Sequence, residues 1–563
     1  MSFRSPVTDY AFLLRHLVPL APVLATARYA HVDADMAAAA LSGAARLCDE
    51  VLAPLGRAGD LHPARLENGA VRSPPGFAEG YRAIAEGGWI SVCAPIAHGG
   101  MGLPLTLGAA VNEMMSGACL ALQLCPLLTQ GQIEALDAHA GEFVRAVFLP
   151  KLVSGEWTGT MNLTEPQAGS DVGALRTVAV PAGDGTHAIT GRKIFITWGD
   201  TDFADNVCHL VLARLPDGGP GTRGISLFLV PKRLPGADGR AGVANAVRVV
   251  RLEHKLGLHG SPTCEMAYEG AKGWMVGPPH GGMAAMFTMM NSARLGVGLQ
   301  GVGVAEAALQ SAVAYARDRE QSGRIIDHAD VRRMLAGMRA DVFAARAIGL
   351  SCAWAGDMAR ATGDPAQAAR AALLTPVAKA FGTDVGTAVS QDCMQVHGGM
   401  GYAEETGVAQ FYRDVRATPI YEGTNGIQAM DLVGRKMADG GEAMFRLVDE
   451  VQASAEAARA SCPAVSGQVW AAAEALREGT DALLAQSNAD RFAGAVAYLR
   501  AVARVLGAHF HLRAVAAEGG SGPRAALAQF YASRLLPEHA AALASARGGA
   551  AEVLAVSEDA LVP

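Results

Sequence analysis

The sequence predicts an α+β protein that is mainly α, in which helical regions flank a small β domain. Three observations predict this class. Apolar residues recur at helical spacing in the first and last parts of the chain. β-branched and aromatic runs separated by Gly, Pro and Asp turns fill the middle. Finally, 563 residues exceed what one hydrophobic core normally holds, so we expect several packed domains.

Composition and charge exclude several classes of protein. Half of the residues are apolar and 18% are charged, which excludes a disordered chain and favours a large buried interior with room for oligomer contacts. The net charge of -7 offers no basic field, so nucleic-acid binding is not expected. The 9 cysteines are scattered without a CxxC pair. This pattern predicts neither a disulfide framework nor a metal site and favours a reducing, cytoplasmic location.

Residues 1–35 are predicted to form a packed N-terminal extension. The apolar stretch 11–30 contains Arg15, His16 and two prolines, which disfavours both a signal peptide and a membrane span. Residues 36–156 form a predicted N-terminal α-helical domain, because apolar residues there recur close to the helical period: Met36, Leu41, Leu47, Val51 and Leu55.

A middle β domain is predicted over residues 157–278. Ile225, Leu227 and Leu229 alternate with their neighbours, and 188–197 and 206–214 are predicted to be neighbouring strands. No GxxxxGK[ST] loop and no strand-linked GxGxxG occurs along the chain. Nucleotide binding of those two kinds is therefore not expected.

Two helical regions complete the predicted architecture. Residues 279–439 form a helical bundle, in which Val331, Leu335, Met338 and Val342 mark one amphipathic face. The apolar stretch 281–304 is the best membrane candidate, but the charge of Arg294 in its middle indicates a buried helix. Residues 440–563 form an appended α-helical module with one apolar face at Phe492, Val496, Leu499 and Leu506.

Four segments carry polar or glycine-rich patterns, at 161–171, 193–199, 395–402 and 420–428. Each has an ordinary interpretation when taken alone: a capped turn, a strand with a core aromatic, a glycine turn and a solvated glutamate. Each segment also has a functional interpretation. Glycines let backbone amides approach a phosphate, and the glycine beside Glu422 lets the carboxylate face a cleft.

Together, the order and spacing of these segments resemble the acyl-CoA dehydrogenase family from about residue 36 to residue 436. The resemblance implies FAD as cofactor, bound across the interface of a homodimer or higher homo-oligomer. Phe195 stands where the family usually has tryptophan, so the aromatic face is kept and the indole donor is lost. The implied flavin-binding residues are Met161, Leu163, Thr164, Gly169, Ser170, Phe195, Thr197, Arg319, Gln395, Gly398, Gly399, Thr424 and Gly426.

The same resemblance implies an acyl-CoA substrate and identifies Glu422 as the base that removes its α-proton. One branch of the family has its base just before the arginine that Arg294 matches, but this chain has Ala293 there. The implied substrate contacts are Ser170, Asn291, Arg294 and Gly423. An internal salt bridge is the alternative explanation for Arg294, because a buried arginine needs a partner in either case.

The segment 254–264, the N-terminal extension and the C-terminal module resemble one bacterial subgroup of this family. It includes enzymes that act on 3-(methylthio)propanoyl-CoA and on straight-chain fatty acyl-CoA, and the family resemblance favours electron-transferring flavoprotein as electron acceptor. Two alternatives remain open: an acyl-CoA oxidase that uses oxygen, and a catalytically silent acyl-CoA-binding scaffold. Flavin hydroxylases of this fold lack a glutamate at the position of Glu422.

Overall fold

The computed structural model describes residues 3–562. The N-terminal extension packs against the body of the protein, with Tyr10, Leu13 and Val23 fully buried. The helical region that follows also contains a short hairpin, β1–β2, that the helical pattern did not predict. The elements are α1 Val7–Phe12, α2 Ala21–Leu24, α3 Ala34–Arg46, α4 Ala53–Leu61, β1 Arg65–Glu67, β2 Ala70–Arg72, α5 Phe77–Glu86, α6 Leu105–His139 and α7 Glu142–Val153.

Helix α6 is the central helix of this region and is broken at Cys119, whose φ and ψ are -156° and 86°. Within residues 3–562 it is the one helix long and apolar enough to cross a membrane, and 89% of its most apolar window is buried inside the protein. We interpret it as a core helix. The stretch 281–304, which the sequence offered as the best membrane candidate, does not meet the same criterion.

The middle region forms a seven-stranded sheet in the order β10-β11-β5-β4-β6-β3, with β7 pairing β11 and β6. The two strands predicted from the sequence exist as β5 and β6, but they are not neighbours, because β4 lies between them. β4 has only 4 residues, mostly exposed, and its pattern was hidden among turn residues. The strands are β3 Trp157–Asn162, β4 Val178–Pro181, β5 His187–Thr197, β6 Asn206–Arg214, β7 Ile225–Pro231, β8 Arg233–Pro235, β9 Ala241–Ala244, β10 Val247–Leu252 and β11 Thr263–Val276.

Three long helices dominate the bundle after the sheet: α8 Gly282–Asp318, α9 Ala329–Thr362 and α10 Pro365–His397. The predicted stripe on α9 is confirmed, since Leu335, Met338 and Val342 are buried. Helices α8 and α10 are in backbone contact, because a Cβ on Gly301 would lie 2.3 Å from the carbonyl oxygen of Gly382. The bundle ends with the shorter helices α11 Gly399–Tyr402, α12 Val408–Val415 and α13 Asn425–Asp431.

The appended module consists of α14 Glu442–Ala457, α15 Pro463–Leu484, α16 Asn488–Ala517, α17 Pro523–Phe530, α18 Glu538–Arg547, α19 Ala551–Ala555 and α20 Glu558–Leu561. Helix α16 packs against α9, α13, α15 and α18. Of the apolar face predicted for it, Leu499 and Leu506 are buried, but Phe492 and Val496 are 40% and 52% exposed. That part of the prediction is wrong, because the first turns of α16 are only partly covered and Phe492 merely lies over Gly434. The domain limits proposed from the sequence stay predictions.

Candidate active site

Glu422 lies in a tight turn between α12 and α13. Both Glu422 and Gly423 have left-handed backbones, with φ of 58° and 80°. A glutamate rarely adopts this conformation, and such strain persists only where the surroundings impose it. The turn ends at Thr424, the N-cap of α13, whose Oγ1 accepts a hydrogen bond of 3.3 Å from the amide of Ile427. The strained turn that contains Glu422 therefore ends where α13 begins.

Two side chains hold the carbonyl groups of this turn. Nε2 of Gln428 donates to the carbonyl oxygens of Glu422 and Gly423, at 3.1 and 3.2 Å. Nζ of Lys379 donates to the carbonyl oxygen of Gly423 at 3.0 Å and to Oδ1 of Asn425 at 2.9 Å. Lys379 belongs to α10, so its hydrogen bonds link the turn to that helix, which packs closely against α8.

The Glu422 carboxyl lies in an environment that disfavours its charge. Burial raises its pKa to about 7, although the cations of Arg294 and Lys379 act in the opposite direction. Burial also lowers the pKa of Lys379 to about 8. A carboxylate with a pKa near neutrality is a stronger base than an ordinary glutamate and is still partly ionised at physiological pH.

Arg294 projects from α8 toward the same turn. Its Nη1 lies 3.3 Å from Oδ2 of Asp431, so the internal salt bridge weighed from the sequence does form. The pair leaves the Nε of Arg294 buried without a hydrogen-bond partner among the described residues. Its Nη2 lies 3.9 Å from the point where a Cβ on Gly423 would stand. Arg294 therefore has donor capacity left beside the turn. Ala293 is buried next to it, and Asn291 is exposed one turn earlier.

A buried ion pair shapes the predicted flavin-binding turn at residues 161–170. Nζ of Lys193 lies 2.9 Å from Oε1 of Glu165, and both side chains are almost fully buried. Lys193 also donates to the carbonyl oxygen of Leu163 at 3.0 Å, and the amide of Ile194 donates to that of Thr164 at 2.9 Å. These contacts hold Leu163 and Thr164 against β5, while Met161 lies in β3, opposite Leu210 of β6. Gly169 and Ser170 lie exposed at the far end of the turn.

Phe195 is the residue of β5 that departs from core geometry. Its φ is 58° and its side chain is 60% exposed, although its neighbour Ile196 is buried. Phe195 is therefore not a core residue, and its aromatic ring points outward. Thr197, two residues on, is half-buried, and its carbonyl oxygen accepts 2.7 Å from Oγ1 of Thr160.

A third group forms where α8 and α10 end. The rings of Tyr315 and His397 stack with centroids 4.2 Å apart, which brings the end of α8, with Arg319, beside the end of α10, with Gln395. Arg319 and Gln395 are exposed, and a Cβ on Gly398 or Gly399 would meet nothing within 4 Å. An arginine beside an open glycine turn suits a phosphate group.

These residues form three groups: the base turn with Arg294, the turn at 161–170 with Phe195 and Thr197, and the ends of α8 and α10. No hydrogen bond joins one group to another within residues 3–562 of a single chain. The residues fit FAD: an outward aromatic face for a flat ring, a shaped polar turn for its edge, and an arginine with an open glycine turn for its phosphates.

The segment 254–264 lies where three regions of the chain contact one another. Nδ1 of His259 lies 2.9 Å from Oδ1 of Asp60, and the amide of Leu258 donates to Oδ1 of Asp414 at 2.6 Å. A Cβ on Gly257 would lie 2.4 Å from the backbone of Arg413. The segment therefore links the β region to α4 and to α12, the helix that precedes the turn containing Glu422.

Reasoning from the sequence gave no role to Lys379, Gln428, Asp431, Glu165 or Lys193. One signal was available for Lys379. It is the one charged residue in the apolar run 371–383, and a lysine inside an apolar helix needs a polar partner. Glu165 and Lys193 lie inside the segments 161–171 and 193–199, but their pairing depends on how β5 packs against the turn.

Comparisons with known proteins follow the same division of the chain. Residues 25–156, 160–271 and 280–437 match the N-terminal, middle and C-terminal domains of acyl-CoA dehydrogenase, and residues 447–557 match the family described as acetyl-CoA dehydrogenase C-terminal like. A solved acyl-CoA dehydrogenase from Bacillus anthracis, complexed with FAD, has a TM-score of 0.76 at 20% identity and covers 94% of this chain and 90% of its own, which supports the fold.

The fold and the site together define a flavin-linked oxidoreductase. The chain belongs to the acyl-CoA dehydrogenase family, whose members are FAD-dependent oxidoreductases. It is 44% identical over 539 residues to 3-methylmercaptopropionyl-CoA dehydrogenase of Ruegeria pomeroyi, covering 92% of each chain. It is 34% identical over 477 residues to a broad-specificity linear acyl-CoA dehydrogenase of Mycobacterium tuberculosis, covering 80% of this chain and 78% of the other.

Proposed function

We propose that the protein dehydrogenates the Cα–Cβ bond of an acyl-CoA to a trans-2-enoyl-CoA, with Glu422 as the base. One observation carries the proposal: a glutamate with its pKa raised to about 7 lies in a strained turn beside Arg294 and Gly423. A carboxyl whose pKa is shifted by burial and by specific charged neighbours, beside an arginine with an unpaired donor, has the properties of a functional group.

The α-proton of a thioester is weakly acidic, so the base must act together with donors to the thioester oxygen. We assign proton removal to the Glu422 carboxylate and donation to the developing oxyanion to its backbone amide. One such donor is worth about 3–4 kcal/mol of transition-state stabilisation. The fixed turn keeps amide and carboxylate in one orientation, and Gly423 leaves room for the substrate beside them. We assign Arg294, with Ser170 and Asn291, to binding of the acyl-CoA.

FAD, when bound, supplies the redox chemistry by accepting a hydride from Cβ. We propose that the outward face of Phe195 covers the flavin ring system. The polar edge of that ring would be held by Thr197 and by the turn residues Met161, Leu163, Thr164, Gly169 and Ser170. Arg319 and the Gln395–Gly399 turn would hold the phosphates and the ADP part, with Thr424 and Gly426 beside the adenosine. Because these groups are exposed in one chain, we propose that a homodimer completes the site.

The relatives suggest two substrate classes. The similarity over nearly the full length to 3-methylmercaptopropionyl-CoA dehydrogenase favours 3-(methylthio)propanoyl-CoA, and the similarity to the linear acyl-CoA dehydrogenase favours a straight-chain fatty acyl-CoA. A methylene discriminates by only about 1–3 kcal/mol, so substrates must be compared directly. We propose a cytoplasmic enzyme with electron-transferring flavoprotein as acceptor.

The deciding experiment is anaerobic bleaching of the bound flavin by a panel of acyl-CoAs that includes 3-(methylthio)propanoyl-CoA. We expect wild type to bleach with at least one of them and Glu422→Gln to stay yellow with all. Bleaching of Glu422→Gln at the normal rate would refute the assignment of the base. Fast hydrogen peroxide formation in air would instead identify an oxidase, and a purified protein without flavin would support the silent scaffold.

A further inference from the structure

Lys379 is a fully buried lysine in the middle of α10. Its ammonium donates to the carbonyl oxygen of Gly423 and to Oδ1 of Asn425. Within residues 3–562 it forms no ion pair at contact distance with a carboxylate. A buried charge without a counterion in contact is costly, and stability alone would favour methionine or leucine at this position. The cation therefore needs an explanation other than folding.

We propose that Lys379 is a positioning residue for proton abstraction: it fixes the Glu422–Gly423 turn through the Gly423 carbonyl and sets a cation beside the base. This inference rests on the proposed function of Glu422. Lys379 lies on α10 and the turn lies between α12 and α13, so its hydrogen bond joins two separate elements. Gln428 donates to the same carbonyl oxygen, but it belongs to α13 and carries no charge.

The geometry of the turn shows why it needs such a contact. Two successive residues, Glu422 and Gly423, have left-handed backbones. Lys379 and Gln428 fix their carbonyl oxygens. Asn425, the second acceptor for Lys379, is itself held to α10, because its Nδ2 donates to Oγ1 of Thr383 at 3.0 Å and to Oδ1 of Asp384 at 2.8 Å. Release of Lys379 would leave the Gly423 carbonyl oxygen to Gln428, while Asn425 would still link the start of α13 to α10.

The charges around Glu422 come from three elements. Helix α8 contributes Arg294, α10 contributes Lys379 and Asp384, and α13 with the segment after it contributes Asp431, Arg435 and Lys436. The turn itself contributes the phenol of Tyr421, whose pKa is raised by burial and by Glu422. Arg294 and Arg435 both pair with Asp431, which offsets much of their charge. Of the two cations that act on Glu422, Arg294 is paired with Asp431, whereas Lys379 has no carboxylate in contact among residues 3–562. Lys379 lowers the pKa of Glu422 against the effect of burial.

Three variants separate the hydrogen bond from the charge. Lys379→Met removes both, Lys379→Gln keeps a donor and removes the charge, and Gln428→Leu removes the other donor to the turn without a change of charge. The matched control is Lys232→Met, which removes a half-buried lysine paired with Asp200 in the β region. The readout is the limiting rate of anaerobic flavin reduction by an accepted acyl-CoA across pH, with flavin content measured in parallel.

We expect Lys379→Met to keep its flavin, to lose roughly ten- to hundredfold in limiting rate, as for a charged hydrogen bond, and to shift the acidic midpoint to higher pH. Lys379→Gln should recover part of the rate and keep the shifted midpoint. Gln428→Leu should slow the reaction with the midpoint unchanged. The control should match wild type in both rate and midpoint.

An unshifted midpoint in both Lys379 variants, with rates like those of the control, would overturn the inference. If Lys379→Met fails to fold, Lys379→Gln decides by the same midpoint. Failure of the proposed function is recognised separately, because Glu422→Gln would then bleach normally whatever the Lys379 variants do.

Discussion

Nη2 of Arg294 lies 3.9 Å from the point that a Cβ on Gly423 would occupy, so the turn stays open toward α8 because residue 423 has no side chain. The same Cβ would lie 3.0 Å from Nε2 of Gln428, which holds the turn. Arg294, Gln428 and the base thus meet around one glycine. Changes at this point should affect the chemistry more than the stability of the protein.

Gly423→Ala tests this relationship. Its φ of 80° is unfavourable for alanine by about 1–2 kcal/mol, and the new methyl group would press on Gln428. We expect a modest loss of stability and at least about a tenfold loss in flavin reduction, equal to about 1.4 kcal/mol. The control is Gly363→Ala, where φ is 71° and no atom lies within 4 Å of the new Cβ. Equal activity in the two variants would contradict the prediction.

The rate should depend on pH through Glu422. The base must be ionised, and its pKa is raised to about 7, so flavin reduction should rise with pH and level off above that value. The measurement is the limiting reduction rate over a pH series with a saturating acyl-CoA. A rate already constant below pH 6, well under the value of about 7, would show that a group other than Glu422 limits the reaction.

The stability of the folded protein should depend on pH in the opposite direction to the rate of flavin reduction. The folded pKa of Glu422 lies above its usual value of 4.5, so the folded state prefers the neutral carboxyl and loses stability as pH rises from 4.5 through about 7. Glu422→Gln, which stays neutral, should gain stability over wild type above pH 7 and show little difference near pH 4.5. Urea unfolding at the two ends of this range measures the difference, and a gain that does not change with pH would exclude linkage to this carboxyl.

Lys193 should be needed for the flavin-binding turn. Lys193→Met leaves Glu165 as a buried carboxylate without its cation, which typically costs about 3–5 kcal/mol, and releases the carbonyl of Leu163. We expect weaker FAD retention, measured by flavin absorbance after gel filtration. Lys272→Met is the control in the same sheet, since its ion pair with Asp184 is largely exposed. Retention equal to that of the control would argue against a role for the buried pair.

The class of the fold was predicted correctly from the sequence, because the periodicity of apolar residues and the order of the motifs are visible without coordinates. Arg294 does lie near the Glu422–Gly423 turn, while the roles that the family resemblance implies for these residues stay predictions. The sequence did not predict β4, whose exposed residues lack a strand pattern, or the exposure of Phe492 and Val496, which depends on where neighbouring helices end. The contacts of Lys379 with Gly423 join residues 44 positions apart, and no local pattern encodes such a pair.

The N-terminal extension should be fastened by a buried charge network centred on Arg346. This fully buried guanidinium binds Glu113 of α6 at 2.7 Å, Glu306 of α8 at 2.8 Å and Asp9 of α1 at 3.1 Å. Arg346→Met removes the cation from three acidic groups and should cost at least about 3–5 kcal/mol in unfolding free energy. Arg248→Met, in an exposed pair with Glu269, should cost much less.

The pH dependence of that loss identifies its cause. Burial raises the pKa of Glu113 to about 7 even with Arg346 present, and removal of the guanidinium raises it further. Protonation therefore relieves the unpaired charge, so Arg346→Met should be less destabilised below pH 7 than above it. Adding Glu113→Gln should recover part of the stability above pH 7 for the same reason. A loss independent of pH and of the second change would point to packing around the Arg346 side chain instead of its charge.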